Sequence, residues 1–227
     1  EVVLVSEAER AYYRELGYER LNPRVSVVAN GIRPPPFQAP GPRRGMLGYC
    51  GRLVPRKHPE YVQMALSEPG FESFEAMIAG KAFSAYAREL LDEYAIEERV
   101  RHLGWCGGPR LDAFFSAIDV LAQPSTYEPF GLSALEAAAR GIPLVCTPVD
   151  GLVEVLGEHA FYCDNTSYPA FLDALTRWRD ADPDIVAARC AGARARALEH
   201  FTDLAMANRY LERFRQLTGT ATATGDD

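Results

Sequence analysis

Apolar residues in this chain gather in short unbroken runs, separated by stretches where they recur every three or four positions. The runs, at about 46–50, 74–79, 99–103, 118–122, 143–146 and 159–162, predict strands. The intervening stretches, at about 59–67, 83–94, 109–117, 130–140, 151–156 and 168–179, predict helices. Segments such as Asp119-Val-Leu-Ala and Pro143-Leu-Val-Cys146 keep almost no polar face, as strands do when helices cover both sides of a parallel sheet. The pattern over residues 45–217 is therefore α/β, a Rossmann-like parallel sheet with helices on both faces, closed by two more helices at about 184–199 and 202–217.

The flanks read differently. Val2 to Val5, a helical stretch at about 7–16 and a short strand at Val25 to Ala29 make residues 1–30 a strand-helix-strand remnant of another domain, and a start at Glu1 inside an apolar run reads as a cut within a larger protein. Residues 31–44 predict a linker, since five of the sixteen prolines fall between Gly31 and Pro42. The Thr- and Gly-rich stretch 218–227 predicts a disordered tail. No internal repeat is visible.

Composition narrows the chemistry. With 227 residues and 48% hydrophobic content the chain buries a full core. A net charge of −7 gives no surplus of Lys and Arg for nucleic acid, so an anionic ligand must be held locally. No apolar run approaches the roughly 20 residues of a membrane-crossing helix, which predicts no direct membrane segment. Cys50, Cys106, Cys146, Cys163 and Cys190 are odd in number and scattered, which fits reduced thiols in the cytoplasm.

In open α/β sheets ligands lie beyond the carboxyl ends of the strands, and polar groups fall there in this chain. The exits are Gly51-Arg52-Leu53, Gly80-Lys81, Gly104-Trp105-Cys106, Gln123 to Glu128 and Thr147 to Gly151. Arg52 and Lys57, with Arg56 between them, form the densest basic group; a fork of donors and a point charge together suit a diphosphate and oppose the charge that grows as it departs. Taken alone, Lys57 is equally a solvated first turn of a helix.

Glu128 and Glu136, eight positions apart, bracket a turn that becomes a helix. Pro129 and Gly131 allow a tight entry, and the amides of Phe130, Gly131 and Leu132 open the helix without intrahelical partners, which favours an anion. Glu136 shares a stripe with Ser133 and Arg140, while Leu132, Leu135 and Ala139 are expected on the buried side. A carboxylate so placed can accept from a sugar or ribose diol; the plain alternative is a pair of carboxylates favoured by the helix dipole and by solvent. Trp105 either shapes a nucleobase slot or is core or rim.

Taken in order, Val28-Ala29-Asn30-Gly31-Ile32, Gly51-Arg52-Leu53 with Lys57, His102-Leu103-Gly104, Glu128-Pro-Phe-Gly-Leu with Glu136, and Gly141-Ile-Pro-Leu-Val resemble the family 4 retaining glycosyltransferases of the GT-B fold, over about Val25 to Asp164. The resemblance implies the donor half of a two-domain enzyme of hexosyltransferase type. Its partners would be a nucleotide-sugar and a missing amino-terminal acceptor domain, with no nucleic acid. It implies Arg52, Lys57 and Glu128 as catalytic, the first two on the donor diphosphate and the third on the sugar. Glu136 would hold the ribose, and Phe130, Gly131, Leu132, Ser133, Gly51 and Gly104 the rest of the donor, with Trp105 and Cys106 beside the base.

No cofactor and no metal are implied. The Asp180-Ala-Asp182-Pro-Asp184 spacing, which would suit a cation, falls between late helices and predicts a cap. Departures from the family pattern are Arg33 for an Asp, His58 for the Gly after Lys57, and Asp150 for a Gly before Gly151. The isolated chain is expected to bind nucleotide and to transfer sugar poorly, in the cytoplasm, with any attachment to the inner face of a membrane made through the missing domain. Two other readings of the same site are a non-catalytic nucleotide-binding partner subunit and a nucleotide-sugar epimerase or phosphorylase. The stripe Phe201, Leu204, Ala205, Ala207, Tyr210, Leu211 and Phe214 on the last helix either packs on its own domain or awaits cover from the missing one.

Overall fold

The computed structural model describes residues 1–39, 41 and 43–218. Of the predicted linker, positions 40 and 42 lie outside the described residues, as does the predicted tail from 219 onward.

Six parallel strands form the main sheet: β3 (Met46–Cys50), β4 (Glu75–Ala79), β5 (Val100–Gly104), β6 (Val120–Gln123), β7 (Leu144–Cys146) and β8 (Phe161–Tyr162), in the spatial order β5-β4-β3-β6-β7-β8. Side chains alternate across it. Leu47, Tyr49, Ala76, Ile78, Val120, Ala122 and Val145 face one layer; Met46, Met77, Leu121, Leu144 and Cys146 face the other. Helices α3 (Glu60–Ala65), α4 (Ala85–Ile96) and α8 (Tyr168–Asp180) fill the first layer through Val62, Leu90, Phe171 and Trp178. Helices α5 (Pro109–Ala117), α6 (Leu132–Arg140) and α7 (Asp150–Leu156) fill the second through Phe114, Leu135 and Leu152, and α9 (Pro183–His200) covers α6 and α7. The predicted α/β sheet with helices on both faces is the observed one. Its order reverses between β3 and β6, where neighbouring crossovers leave in opposite directions and open a crevice.

A smaller unit precedes it. Strands β1 (Val2–Leu4) and β2 (Val25–Val27) pair in parallel, joined by α1 (Glu7–Glu15) and a short α2 (Tyr18–Leu21) that lies beyond the predicted helical stretch. The break falls at Gly17, whose φ of 75° is left-handed. This unit packs on the sheet domain: Ser6 is buried and its hydroxyl donates to the Pro129 carbonyl at 2.6 Å, and the first amides of α1, from Glu7 and Ala8, donate to Glu154 of α7 at 2.9 and 3.3 Å.

The last helix, α10 (Asp203–Thr218), leaves the sheet domain and turns back to this unit. Ile32 and the segment Phe201–Asp203 exchange backbone bonds of 2.9 Å, and Arg213 pairs with Glu1. Its stripe divides: Phe201 is buried edge-on against Phe130, whereas Leu204, Leu211 and Phe214 are exposed. No helix among the described residues is long and apolar enough to cross a membrane.

One close approach joins the fold to the loop after β6. A Cβ at Gly151 would overlap the Phe130 Cα and the Pro129 carbonyl oxygen, and the Gly151 amide donates to the Glu128 carbonyl at 3.0 Å. Gly151→Ala is expected to destabilise the chain by about 1–3 kcal/mol through overpacking against backbone. A denaturant titration with an unchanged midpoint would contradict the contact.

Candidate functional site

A cleft of about 540 Å³ opens at the carboxyl edge of the sheet, at the reversal between β3 and β6. After β3 the chain passes through Gly51 and Arg52, where the Arg52 carbonyl accepts from the buried Tyr49 hydroxyl at 2.8 Å. The Arg52 side chain is exposed and makes no ion pair among the described residues. A single 3₁₀ turn, Pro55–Lys57, then carries Lys57 inward. Its ammonium donates to Glu128 at 2.5 Å, with the two side chains 11% and 10% exposed. The Thr126 amide and hydroxyl both donate to the Arg56 carbonyl, at 2.8 and 3.1 Å, so the loops after β3 and β6 are bound by backbone as well as by charge. Arg56 lies over the Tyr127 ring at 5.6 Å.

Beyond Glu128 the chain enters α6 through Gly131, whose φ of 94° only glycine adopts without strain. Among the described residues the amides of Phe130, Gly131, Leu132 and Ser133 make no hydrogen bond. They stand at the positive end of the helix on the cleft wall, an arrangement that receives anions. The Ser133 hydroxyl donates to the buried Gln123 at 3.1 Å. One turn further, Glu136 faces the same cleft and accepts from Arg140 at 2.9 Å.

Gly51, Arg52, Lys57, Trp105, Cys106, Glu128, Phe130, Gly131, Leu132, Ser133 and Glu136 thus line one cavity. Gly104 does not line it; it ends β5 at φ 66°, accepting from the Gly80 amide at 2.8 Å. Leu132, expected on the buried side of its helix, is 50% exposed. As the first residue of α6 it stands before the point where sheet and α9 begin to cover the helix. Trp105 is 63% exposed, a rim residue, and the Lys81 ammonium sits 5.6 Å from both its ring and that of Phe83.

The cleft also takes residues to which the sequence assigns no role: Lys81, already visible at the second strand exit, and Phe83, which carries no local signal. Val5 and Asn30 come from the amino-terminal unit and reach the cleft only because Ser6 and α1 dock beside Pro129 and α7. His58 lies outside the cleft, stacked on Tyr61 and bonded to Glu60 at 2.8 Å. Asp182 caps α9, accepting from the Asp184 amide at 2.8 Å, as its spacing predicts. Among the described residues no three His, Cys, Asp or Glu side chains gather as a metal site.

Residues 37–191, more than half of the chain, match the family described as Glycosyl transferases group 1. The chain is 29% identical over 213 residues to a D-inositol 3-phosphate glycosyltransferase of Corynebacterium urealyticum, covering 82% of this chain and 50% of that protein. Among solved structures it resembles the sucrose-phosphate synthase of Thermosynechococcus elongatus, with a TM-score of 0.82, 25% identity, and 97% and 59% of the two chains covered. It shares a fold with Anabaena HepE, solved with UDP and glucose, at a TM-score of 0.79 and 22% identity, covering 94% and 62%. The chain spans about half the length of the curated relatives it matches.

The thiols give the cleft a chemical test. Burial pushes Cys50, Cys163 and Cys190 up to about 12 and raises Cys146 as well, so these four stay protonated near neutral pH, where a thiol is a poor nucleophile. Cys106 is half-buried at the rim of the cleft. Brief treatment of the folded chain with iodoacetamide at pH 8 is expected to label Cys106 first, with all five labelled after unfolding. Peptide mass spectrometry showing equal native labelling of Cys146 would refute this burial.

Proposed function

The chain belongs to the glycosyl transferases group 1 family, and from that premise we propose that it is the donor-binding half of a retaining, metal-independent hexosyltransferase of the family 4 type. The observation that carries the reading is the convergence of Arg52, Lys57, Glu128, Glu136 and the unpartnered amides of the α6 entry on one cleft at the sheet reversal.

In this reading a nucleoside-diphosphate sugar lies across the reversal point. Its diphosphate meets the Lys57 ammonium, the exposed Arg52 fork and the amides of Phe130, Gly131 and Leu132. The ammonium, held by Glu128, and the helix-entry amides are in place before the ligand arrives, and with Arg52 they face the place where negative charge grows as the bond from the anomeric carbon to the diphosphate oxygen breaks. An acceptor hydroxyl attacks that carbon from the same face, forming the new glycosidic bond, and its proton leaves with the diphosphate. Glu128 orients the sugar hydroxyls, and Glu136 accepts from the ribose diol. Trp105 and Cys106 border the base. Lys57 and Glu128 hold each other in place without a ligand, so neither has to be ordered when the donor binds.

The acceptor hydroxyl would be positioned by a separate amino-terminal domain; relatives of about twice the aligned length support this, and so does an amino-terminal unit that already supplies Val5 and Asn30 to the cleft. The chain by itself would therefore bind donor and transfer sugar slowly. Its unpaired thiols suit the cytoplasm, where a nucleotide-sugar donor would be drawn from solution.

Arg52→Ala tests the phosphate role most cleanly, because the side chain is exposed and removing it leaves no buried charge behind. Lys57→Ala strips Glu128 of its partner and is expected to cost about 3–5 kcal/mol in stability as well. Either change should weaken a nucleoside diphosphate by roughly tenfold or more while leaving the bare nucleoside nearly unaffected, as expected for a lost hydrogen bond to a charged group. Calorimetry showing equal losses for both ligands would reject the assignment. A thermal-shift panel of UDP, GDP and ADP should raise the melting temperature with at least one of them, since a ligand that binds only the folded chain stabilises it; no shift with any of the three would overturn the donor reading.

A further inference from the structure

Glu136 is anchored by a side chain of its own helix. Arg140, one turn later at the end of α6, donates one guanidinium nitrogen to the Glu136 carboxylate at 2.9 Å and to the Glu136 carbonyl at 3.1 Å. Its other terminal nitrogen donates to Asp112 of α5 at 2.6 Å. The guanidinium lies over the Phe115 ring, 4.6 Å from the centroid. The Arg140 side chain is only 8% exposed, while Asp112 is 63% exposed. A basic residue in the last turn is favoured by the helix dipole, but the dipole is served equally well by a solvated arginine. Burying a guanidinium costs desolvation, which here is offset by two carboxylates, a carbonyl and an aromatic face arranged around it.

The arrangement constrains Glu136 in particular. Its carboxylate hangs on three rotatable bonds beside an open cleft, where it would otherwise sample several rotamers. Arg140 holds the Oε2 oxygen from behind, and among the described residues Oε1 accepts no hydrogen bond. We infer that Arg140, steadied by Asp112 and Phe115, is a positioning residue that presents the Glu136 carboxylate to the paired hydroxyls of the donor's ribose. Asp112 compensates the second positive lobe of the guanidinium from the solvent side and keeps the fork turned toward Glu136. This role rests on the reading of Glu136 as the ribose group, and it assigns the preference for a ribose diol to a helix-internal pair rather than to Glu136 alone.

The test compares UDP, GDP and ADP with their 2′,3′-dideoxy counterparts by calorimetry on the 227-residue chain, using whichever of the three binds tightest. Glu136→Ala should weaken the ribose form roughly tenfold and spare the dideoxy form, as for one lost charge-assisted hydrogen bond. Arg140→Met, which keeps a stem over Phe115, should shift the same ratio in the same direction. Arg140→Lys should restore part of it, and adding Glu136→Ala to Arg140→Met should reduce the ratio no further than Glu136→Ala does. If Arg140→Met does not fold, Arg140→Lys and Asp112→Asn carry the test, each lowering the preference for the ribose form by less than Glu136→Ala does. A preference unchanged in the folded Arg140 variants, or equal weakening of both ligand forms, overturns the positioning role while Glu136→Ala still discriminates. Should Glu136→Ala itself weaken both forms alike, the ribose assignment falls and the positioning role falls with it.

Discussion

The contact between Lys57 and Glu128 joins two loops that leave the sheet on either side of its reversal point. Neither group is well solvated, and a lone charge at such depth is costly, so removing either partner would leave the other buried without compensation. The Thr126 bonds to the Arg56 carbonyl bring the backbones to the same distance. With both loops fixed, the entry of α6 is fixed as well, and its unpartnered amides open onto the wall beside the ammonium. An anion entering there meets a preformed field rather than one that must be assembled.

The rest of the molecule supports that junction from outside. Gly151 lets α7 approach until its amide reaches the Glu128 carbonyl, and Ser6 of the amino-terminal unit takes the next carbonyl, that of Pro129. The loop bearing Glu128 is therefore held from the sheet domain and from the preceding unit together. Helix α10 closes the same circuit by way of Ile32 and Glu1, so movement of the small unit would be felt at Pro129.

The two departures from glycine noted in the sequence acquire a physical meaning. His58 and Asp150 are the non-glycine residues with positive φ among the described residues, at 43° and 38°. At both the backbone takes a left-handed turn that glycine would adopt freely. His58 offsets the strain through its stacking on Tyr61 and its bond to Glu60. The turns flanking the cleft are thus dictated by the path of the chain, and the side chains adapt to them.

Much of this was legible in residue order. Short apolar runs such as Leu144–Cys146 read as strands, and the glutamate pair with Gly131 between its members reads as a helix entry, because these features depend on neighbours within a turn or two. What the sequence left open depended on distance through space. That Lys57 pairs with Glu128 rather than forming a solvated helix turn, that Leu132 is exposed where burial was expected, and which glycines touch the cavity all depend on how separate βα units stack. Val5 carries no local mark of a site and Asn30 stands out only within the Val28–Ile32 motif; docking of the small unit brings both to the cleft. The sequence by itself determined the layers, the strand exits and the chemical types gathered at them, since hydrophobic period and turn chemistry are short-range. Only the tertiary structure decided which of those groups share one cleft and that Asp112 and Phe115 of α5 enclose the Arg140 guanidinium, since ion pairing between loops 71 residues apart and burial beneath α5 exist only once the sheet has closed.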